Sequence, residues 1–198
     1  MVYADDLNAF REYDLGTNEA IIWADLLHCQ EELHTWGKAN QVVFDAAKEH
    51  KAILSHYEPS GANFVLLGVE FDTRLAMTKA IHDCVIEVGW KKKALLRTQR
   101  FHCDMELINL WKSHILSYIE YRTAAWYHAC ETSLAPLDRC LTSFLHSIGV
   151  DTISALMKFN LAPLTARRDM AMLAIIHRTV LQQGPEAFSA FIRSSRPH

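Results

Sequence analysis

Two adjacent carboxylates, Asp5 and Asp6, stand between short apolar runs, Val2–Ala4 and Leu7–Phe10. Two polar residues in that setting predict a tight β-hairpin. Like charges side by side at a hairpin tip repel, and each raises the other's pKa. A divalent cation relieves the repulsion, and hard oxygen donors on a rigid turn suit Mg²⁺. A plain solvated turn is the other reading of the same pair. A second group has different chemistry. Lys91, Lys92, Lys93, Arg97 and Arg100, next to Trp90, put five positive charges within 11 residues. This pattern suits contact with a phosphate backbone, and it suits a solvated helix face as well.

Other chemistry is poorly supported. The 5 cysteines are an odd number, and none forms a C-x-x-C pair. A reducing, intracellular setting is expected, without a disulfide framework. His28–Cys29 and His102–Cys103 are adjacent pairs without the ligand spacing of a zinc site. No basic-then-apolar leader opens the chain, and no apolar run is long enough to cross a membrane. The formal net charge of −3 excludes a polycation. It hides an asymmetry: residues 1–60 hold 4 Lys/Arg against 11 Asp/Glu, and residues 61–198 hold 16 against 12.

The elements that must position these groups follow from periodicity. Ile22, Leu26, Cys29, Leu33 and Trp36 predict an amphipathic helix over 18–37. Gln41–Phe44 and Lys51–Tyr57 read as short strands, Pro59–Ser60–Gly61 as a turn, and Asn63–Asp72 as one strand with Gly68 inside it. From residue 73 the pattern turns helical. Met77, Ile81, Cys84 and Val88 give one face of a helix to about residue 97. A helix over 105–129 carries Ile108, Trp111, Ile115 and Tyr118. Another runs from a Ser133 cap through Leu134, Leu137, Leu141, Leu145 and Ile148. Asp151 caps a short helix, and Thr165 caps a long one ending near Gly184–Pro185. Trp111, Trp126 and Tyr127 read as core in preference to stacking platforms. The fold class is α+β: a small antiparallel sheet with one helix over 1–72, then a helical region over 73–198.

The motif Tyr3–Ala4–Asp5–Asp6 resembles the Tyr-x-Asp-Asp hairpin of reverse transcriptases. Trp36–Gly37 followed by Asn40–Lys48 resembles the helix, strand and lysine segment that follows this hairpin in non-LTR retrotransposon enzymes, with Asp45 where Asn is usual. Phe64–Val69 resembles the Leu-Gly strand that grips the primer. Leu161–Asp169 resembles a segment downstream of the thumb. These landmarks fall in the family order and cover most of the chain.

The resemblance implies an RNA-directed DNA polymerase, with 1–72 the C-terminal half of its palm and 73–198 its thumb and the region beyond. It implies two-metal nucleotidyl transfer with Asp5 and Asp6 as Mg²⁺ ligands, the two metals about 4 Å apart. Lys48 would neutralise or protonate the departing pyrophosphate, or it is an ordinary solvated lysine. Tyr3 would lie under the primer terminus, and Leu67 and Gly68 would touch the primer. Lys91, Lys92, Lys93, Arg97 and Arg100 would meet the backbone of the RNA template and DNA primer. Deoxynucleoside triphosphates are the implied substrates. The family's further catalytic aspartate and its fingers lie upstream of the hairpin, so this chain alone is expected to be a fragment, inactive and prone to self-association through exposed sheet. A non-catalytic nucleic-acid-binding module, or a remnant, is the alternative.

Overall fold

A computed structural model describes residues 2–3, 6–184 and 188. The chain divides into two compact units, Met1–Asn63 and Phe64–His198. Its class is α+β and mostly helical.

The first unit opens with β1 (Val2–Tyr3) and β2 (Asp6–Leu7), antiparallel, with Val2 opposite Leu7 and Tyr3 opposite Asp6. The expected strand to Phe10 stops at Leu7, and residues 8–14 are irregular. Asp25 fastens this segment. Its carboxylate accepts from Arg11 Nη1 at 2.7 Å and from the Tyr13 hydroxyl. Helix α1 (Glu19–Ala39) starts at Asn18, whose Oδ1 accepts from the Ala20 amide at 2.8 Å. This satisfies one of the free donors of a first turn.

Past α1 the chain doubles back. Gln41 takes a φ of 59°, and the Val42 amide donates to Gly37 O at 2.8 Å. Gly37 is the only buried residue of α1. A Cβ there would lie 2.7 Å from Phe44 Cε2, so the returning segment needs a glycine at this point. Gln41–Phe44 therefore packs on the helix end and is not the expected strand. A 3₁₀ turn, Ala46–Lys48, follows. Then β3 (Ala52–Ile53) pairs antiparallel with β4 (Ser60–Gly61). Ser60 and Gly61 are thus strand residues, where a turn was expected, and the Lys51–Tyr57 strand shrinks to two residues. Gly61 fits because its φ is 97° and a Cβ would meet Lys51 O at 2.8 Å.

The second unit begins with a hairpin, β5 (Phe64–Leu66) and β6 (Val69–Phe71). The single strand expected over Asn63–Asp72 is therefore folded in two. Its turn is Leu67–Gly68, with φ of 49° and 74°. Two successive positive φ values match the twist of a two-residue hairpin. The Phe64 and Phe71 rings stack at 5.6 Å. Among the described residues the strands thus form three separate two-stranded pairs, where one sheet was expected. Strands of two or three residues bond their own hairpin partner and offer little edge to a third.

The loop into the helices is organised by Asp72, whose carboxylate accepts from the amides of Arg74, Ala76 and Met77 at 3.1, 2.9 and 2.7 Å. Helix α2 (Thr78–Arg97) passes through Gly89 without interruption, and a 3₁₀ turn, Gln99–Phe101, follows it. The helix expected over 105–129 is interrupted. It comprises α3 (Asp104–Trp111), a π-helical stretch (Lys112–Leu116), α4 (Ser117–Glu120) and α5 (Thr123–Trp126). The last three helices are α6 (Glu131–Ser147), α7 (Thr152–Phe159) and α8 (Leu164–Val180). Asp151 caps α7 as expected, accepting from the Ser154 amide. The N-caps of α6 and α8 are Cys130 and Pro163, three and two residues ahead of the expected Ser133 and Thr165.

The core belongs to this unit. Ile81, Cys84 and Val88 of α2 meet Ile108 and Trp111 of α3 and Leu137, Leu141 and Leu145 of α6, all buried. Trp111 stacks on Phe144 with ring centres 4.3 Å apart. Trp111 and Trp126 are fully buried, in agreement with their reading as core, whereas Tyr127 is exposed and donates its hydroxyl to Asp169. Burial pushes the Cys84 thiol up to about 12. Each large side chain buried here contributes about 1.5–3 kcal/mol. The unit boundary falls before residue 72 because the β5–β6 hairpin is tied to the helices: Lys79 pairs with Glu70, and Tyr121 and Arg122 reach the hairpin tip.

Candidate nucleic-acid interface

The carboxylate motif lies on the first hairpin. Asp6 is in β2 directly across from Tyr3. The turn was expected at Asp5–Asp6, so the correction is one residue: Asp6 belongs to a strand, and the residues between the paired positions are Ala4 and Asp5. The expectation for Asp5 falls outside the described residues. Lys48 ends the 3₁₀ turn with its ammonium 3.8 Å from Asp45 and its side chain 83 % exposed. Asp45 does what an asparagine could do at this position: its Oδ1 accepts from the Ala47 amide at 3.1 Å and caps the turn. Glu49, just beyond, is held below the usual glutamate range by donors from Gln30 and His34. Lys51 donates to Gln30 at 2.6 Å, which joins both sides of the 3₁₀ turn to α1.

Leu67 and Gly68 sit at the tip of the β5–β6 hairpin, both exposed. Their carbonyls are engaged. Tyr121 donates to Leu67 O at 2.9 Å, and Arg122 Nη2 approaches Gly68 O at 3.5 Å. The Arg122 guanidinium also lies 3.9 Å from the centre of the Tyr118 ring, and Lys91 Nζ lies 5.0 Å from the same ring. Lys91, which also pairs with Glu87 at 3.3 Å, therefore belongs to the cluster behind the hairpin tip.

The remaining cations lie elsewhere on α2. Residues 90, 93 and 97 fall within one narrow arc of a helix of 3.6 residues per turn. Trp90, Lys93 and Arg97 are exposed, and Lys93 Nζ is 5.2 Å from the Trp90 ring centre. Arg100 lies over the Phe101 ring at 4.5 Å in the following turn. Lys92 turns to α6 and donates to Ser143 Oγ at 2.9 Å, and Gln99 donates to Ser147 O at 3.3 Å.

These two contacts lay α2 along α6 and add residues that the sequence reading lacked. Arg139, Ser143, His146 and Ser147 are exposed on α6. Lys92 and Arg139 both act on the Cys140 thiol, whose pKa is raised by burial and pulled down by these two cations. No acidic residue occurs over 88–103 or over 139–150. A charge scan could have marked both stretches, but their adjacency depends on contacts about fifty positions apart. The result is a surface of cations and hydroxyls free of carboxylates from its own two segments, suited to bind a polyanion.

The downstream motif Leu161–Asp169 has a structural explanation. Leu161 and Leu164 are buried, Arg167 Nε reaches Glu120 at 2.5 Å, and Arg168 pairs with Asp138 of α6. Its basic pair is thus taken up by helix-to-helix contacts and is not offered to a ligand.

Among the described residues, no single helix is long and apolar enough to cross a membrane, and no three His, Cys, Asp or Glu side chains converge as a metal group. Comparison with protein-family models, with curated proteins and with solved structures finds no match to this chain.

Proposed function

We propose that this chain is the C-terminal palm and thumb part of a reverse transcriptase of the non-LTR retrotransposon type. The observation that carries the reading is the Tyr-x-Asp-Asp motif at positions 3–6, with Tyr3 of β1 paired opposite Asp6 of β2. Two further features support it: the Asp45-capped turn that ends in Lys48, and the surface formed by the acid-free stretches 88–103 and 139–150.

The donor chemistry of Asp5 and Asp6, two adjacent carboxylates, fits Mg²⁺. When bound, the metal supplies Lewis-acid activation of a primer 3′-oxygen and charge neutralisation at the triphosphate. Lys48 is exposed and only loosely tied to Asp45, so its ammonium is free to turn to a departing pyrophosphate. In the whole enzyme this is two-metal nucleotidyl transfer from deoxynucleoside triphosphates.

A metal titration tests the reading directly. Mn²⁺ in place of Mg²⁺ should broaden amide resonances around residues 3–7 before those of other acidic stretches, and the effect should vanish in Asp5→Asn/Asp6→Asn. Uniform broadening along 1–60, unchanged in that variant, would remove the metal assignment. A non-catalytic nucleic-acid-binding module is the second reading. The α2–α6 surface favours it, because that surface makes no use of the carboxylate pair. Nucleic-acid binding without selective Mn²⁺ broadening would favour it over the first.

A further inference from the structure

The α2 surface holds a feature that backbone contact leaves unused. Trp90 and Phe101 are 63 % and 68 % exposed, and each lies beside a cation, Lys93 or Arg100. The core takes Trp111 and Trp126 completely, whereas these two rings stay at the surface beside cations. Ten residues of helix and turn lie between them, a span of roughly 15–20 Å. Lys93 and Arg97 lie between them in sequence, and Lys93, Arg97 and Trp90 share one helix face. A base pair buries the faces of its bases within the stack, so a duplex presents few base faces to an indole or phenyl ring. A single strand presents its bases freely, and stacking on aromatic rings is tolerant of sequence.

We propose, on the reading that this surface binds nucleic acid, that its preferred ligand is a single strand. Trp90 and Phe101 are stacking platforms for two of its bases, and Lys93, Arg97 and Arg100 hold the intervening phosphates. Lys92 and Arg139 extend the positive field along α6. The occupant is set by charge complementarity, since neither segment of the surface carries an acid to oppose a phosphate.

The experiment is an anisotropy titration of the full chain with a labelled oligouridylate and with a blunt duplex of equal length, at two salt concentrations. The single strand should bind about tenfold more tightly. Trp90→Ala and Phe101→Ala should each weaken single-strand binding by about fivefold or more and leave the salt slope unchanged, because stacking releases no counterions. Lys93→Gln/Arg97→Gln should flatten that slope by roughly 0.7 per charge removed. Trp90→Phe keeps a ring and should retain most of the affinity, so loss of a platform can be told from loss of fold. Equal or tighter duplex binding, indifferent to Trp90→Ala, overturns the single-strand assignment and leaves the nucleic-acid reading standing. Binding to neither probe overturns the nucleic-acid reading itself.

Discussion

Arg168 of α8 grips Asp138 of α6 with both prongs of its guanidinium, Nη1 to Oδ1 at 2.8 Å and Nη2 to Oδ2 at 3.0 Å. The arginine side chain is only 8 % exposed. Removing one partner of a buried pair strands the other charge. Asp138→Ala should therefore destabilise the helical unit by about 3 kcal/mol in urea unfolding. The double replacement Asp138→Leu/Arg168→Met should recover most of that loss. If the single and double variants are equally unstable, the pair acts through packing and not through charge.

Gly37 predicts a local effect. Its missing Cβ admits Phe44 and the carbonyl of Val42. Gly37→Ala should lift the returning segment off α1 at a cost of about 1–3 kcal/mol. Hydrogen exchange at the Val42 amide, which donates to Gly37 O, should accelerate, while amides of α6 stay protected. Unchanged exchange at Val42 would show that the segment can shift aside without strain.

Leu67 carries a φ of 49° with no glycine to absorb it. The left-handed region costs an ordinary residue roughly 1–2 kcal/mol. Leu67 is 41 % exposed, so little burial is at stake. Leu67→Asn creates an Asn-Gly turn and should raise the melting temperature of the second unit. A fall in melting temperature would mean that the leucine side chain holds the hairpin tip more firmly than its exposure suggests.

Cys130 should be the reactive thiol. Hydroxyl and backbone hydrogen bonds from Ser133 and Thr132 lower its pKa to about 7, against an ordinary value of 9.0. A depressed value means more thiolate at neutral pH, and the thiolate is the nucleophile. Alkylation by iodoacetamide should rise with pH through a midpoint near 7 in the native chain and shift upward in Ser133→Ala. Cys84, pushed up to about 12 by burial, should stay unmodified until the chain unfolds. Equal rates at Cys130 and Cys103 would contradict this.

The helical half was legible because apolar spacing and burial coincide: Ile81, Cys84 and Val88, and Leu134, Leu137, Leu141 and Leu145, all point inward as their periods demand. The turn at Leu67–Gly68 was hidden, since a leucine in a run of apolar residues gives no turn signal. Val42 and Val43 read as strand because they are β-branched, yet the Val42 amide donates to Gly37 O and Phe44 packs on that glycine. The carboxylate hairpin was legible as a hairpin and displaced by one residue, because Asp-Asp is a weak turn pair and does not fix the register. Arg139 and His146 could not be assigned to the basic surface from sequence, since only the lie of α2 along α6 places them there.

Every buried hydrophobic of the described chain lies at Val69 or later. In calorimetric terms, the larger part of the positive heat-capacity change of unfolding, which follows newly wetted apolar area, is generated after that residue. Residues 6–63, whose apolar side chains are only partly buried, should contribute the smaller share and melt less cooperatively. Selection on overall stability therefore weighs mainly on residues from 69 onward. The segment that carries the carboxylate motif is left comparatively free to change without unfolding the rest.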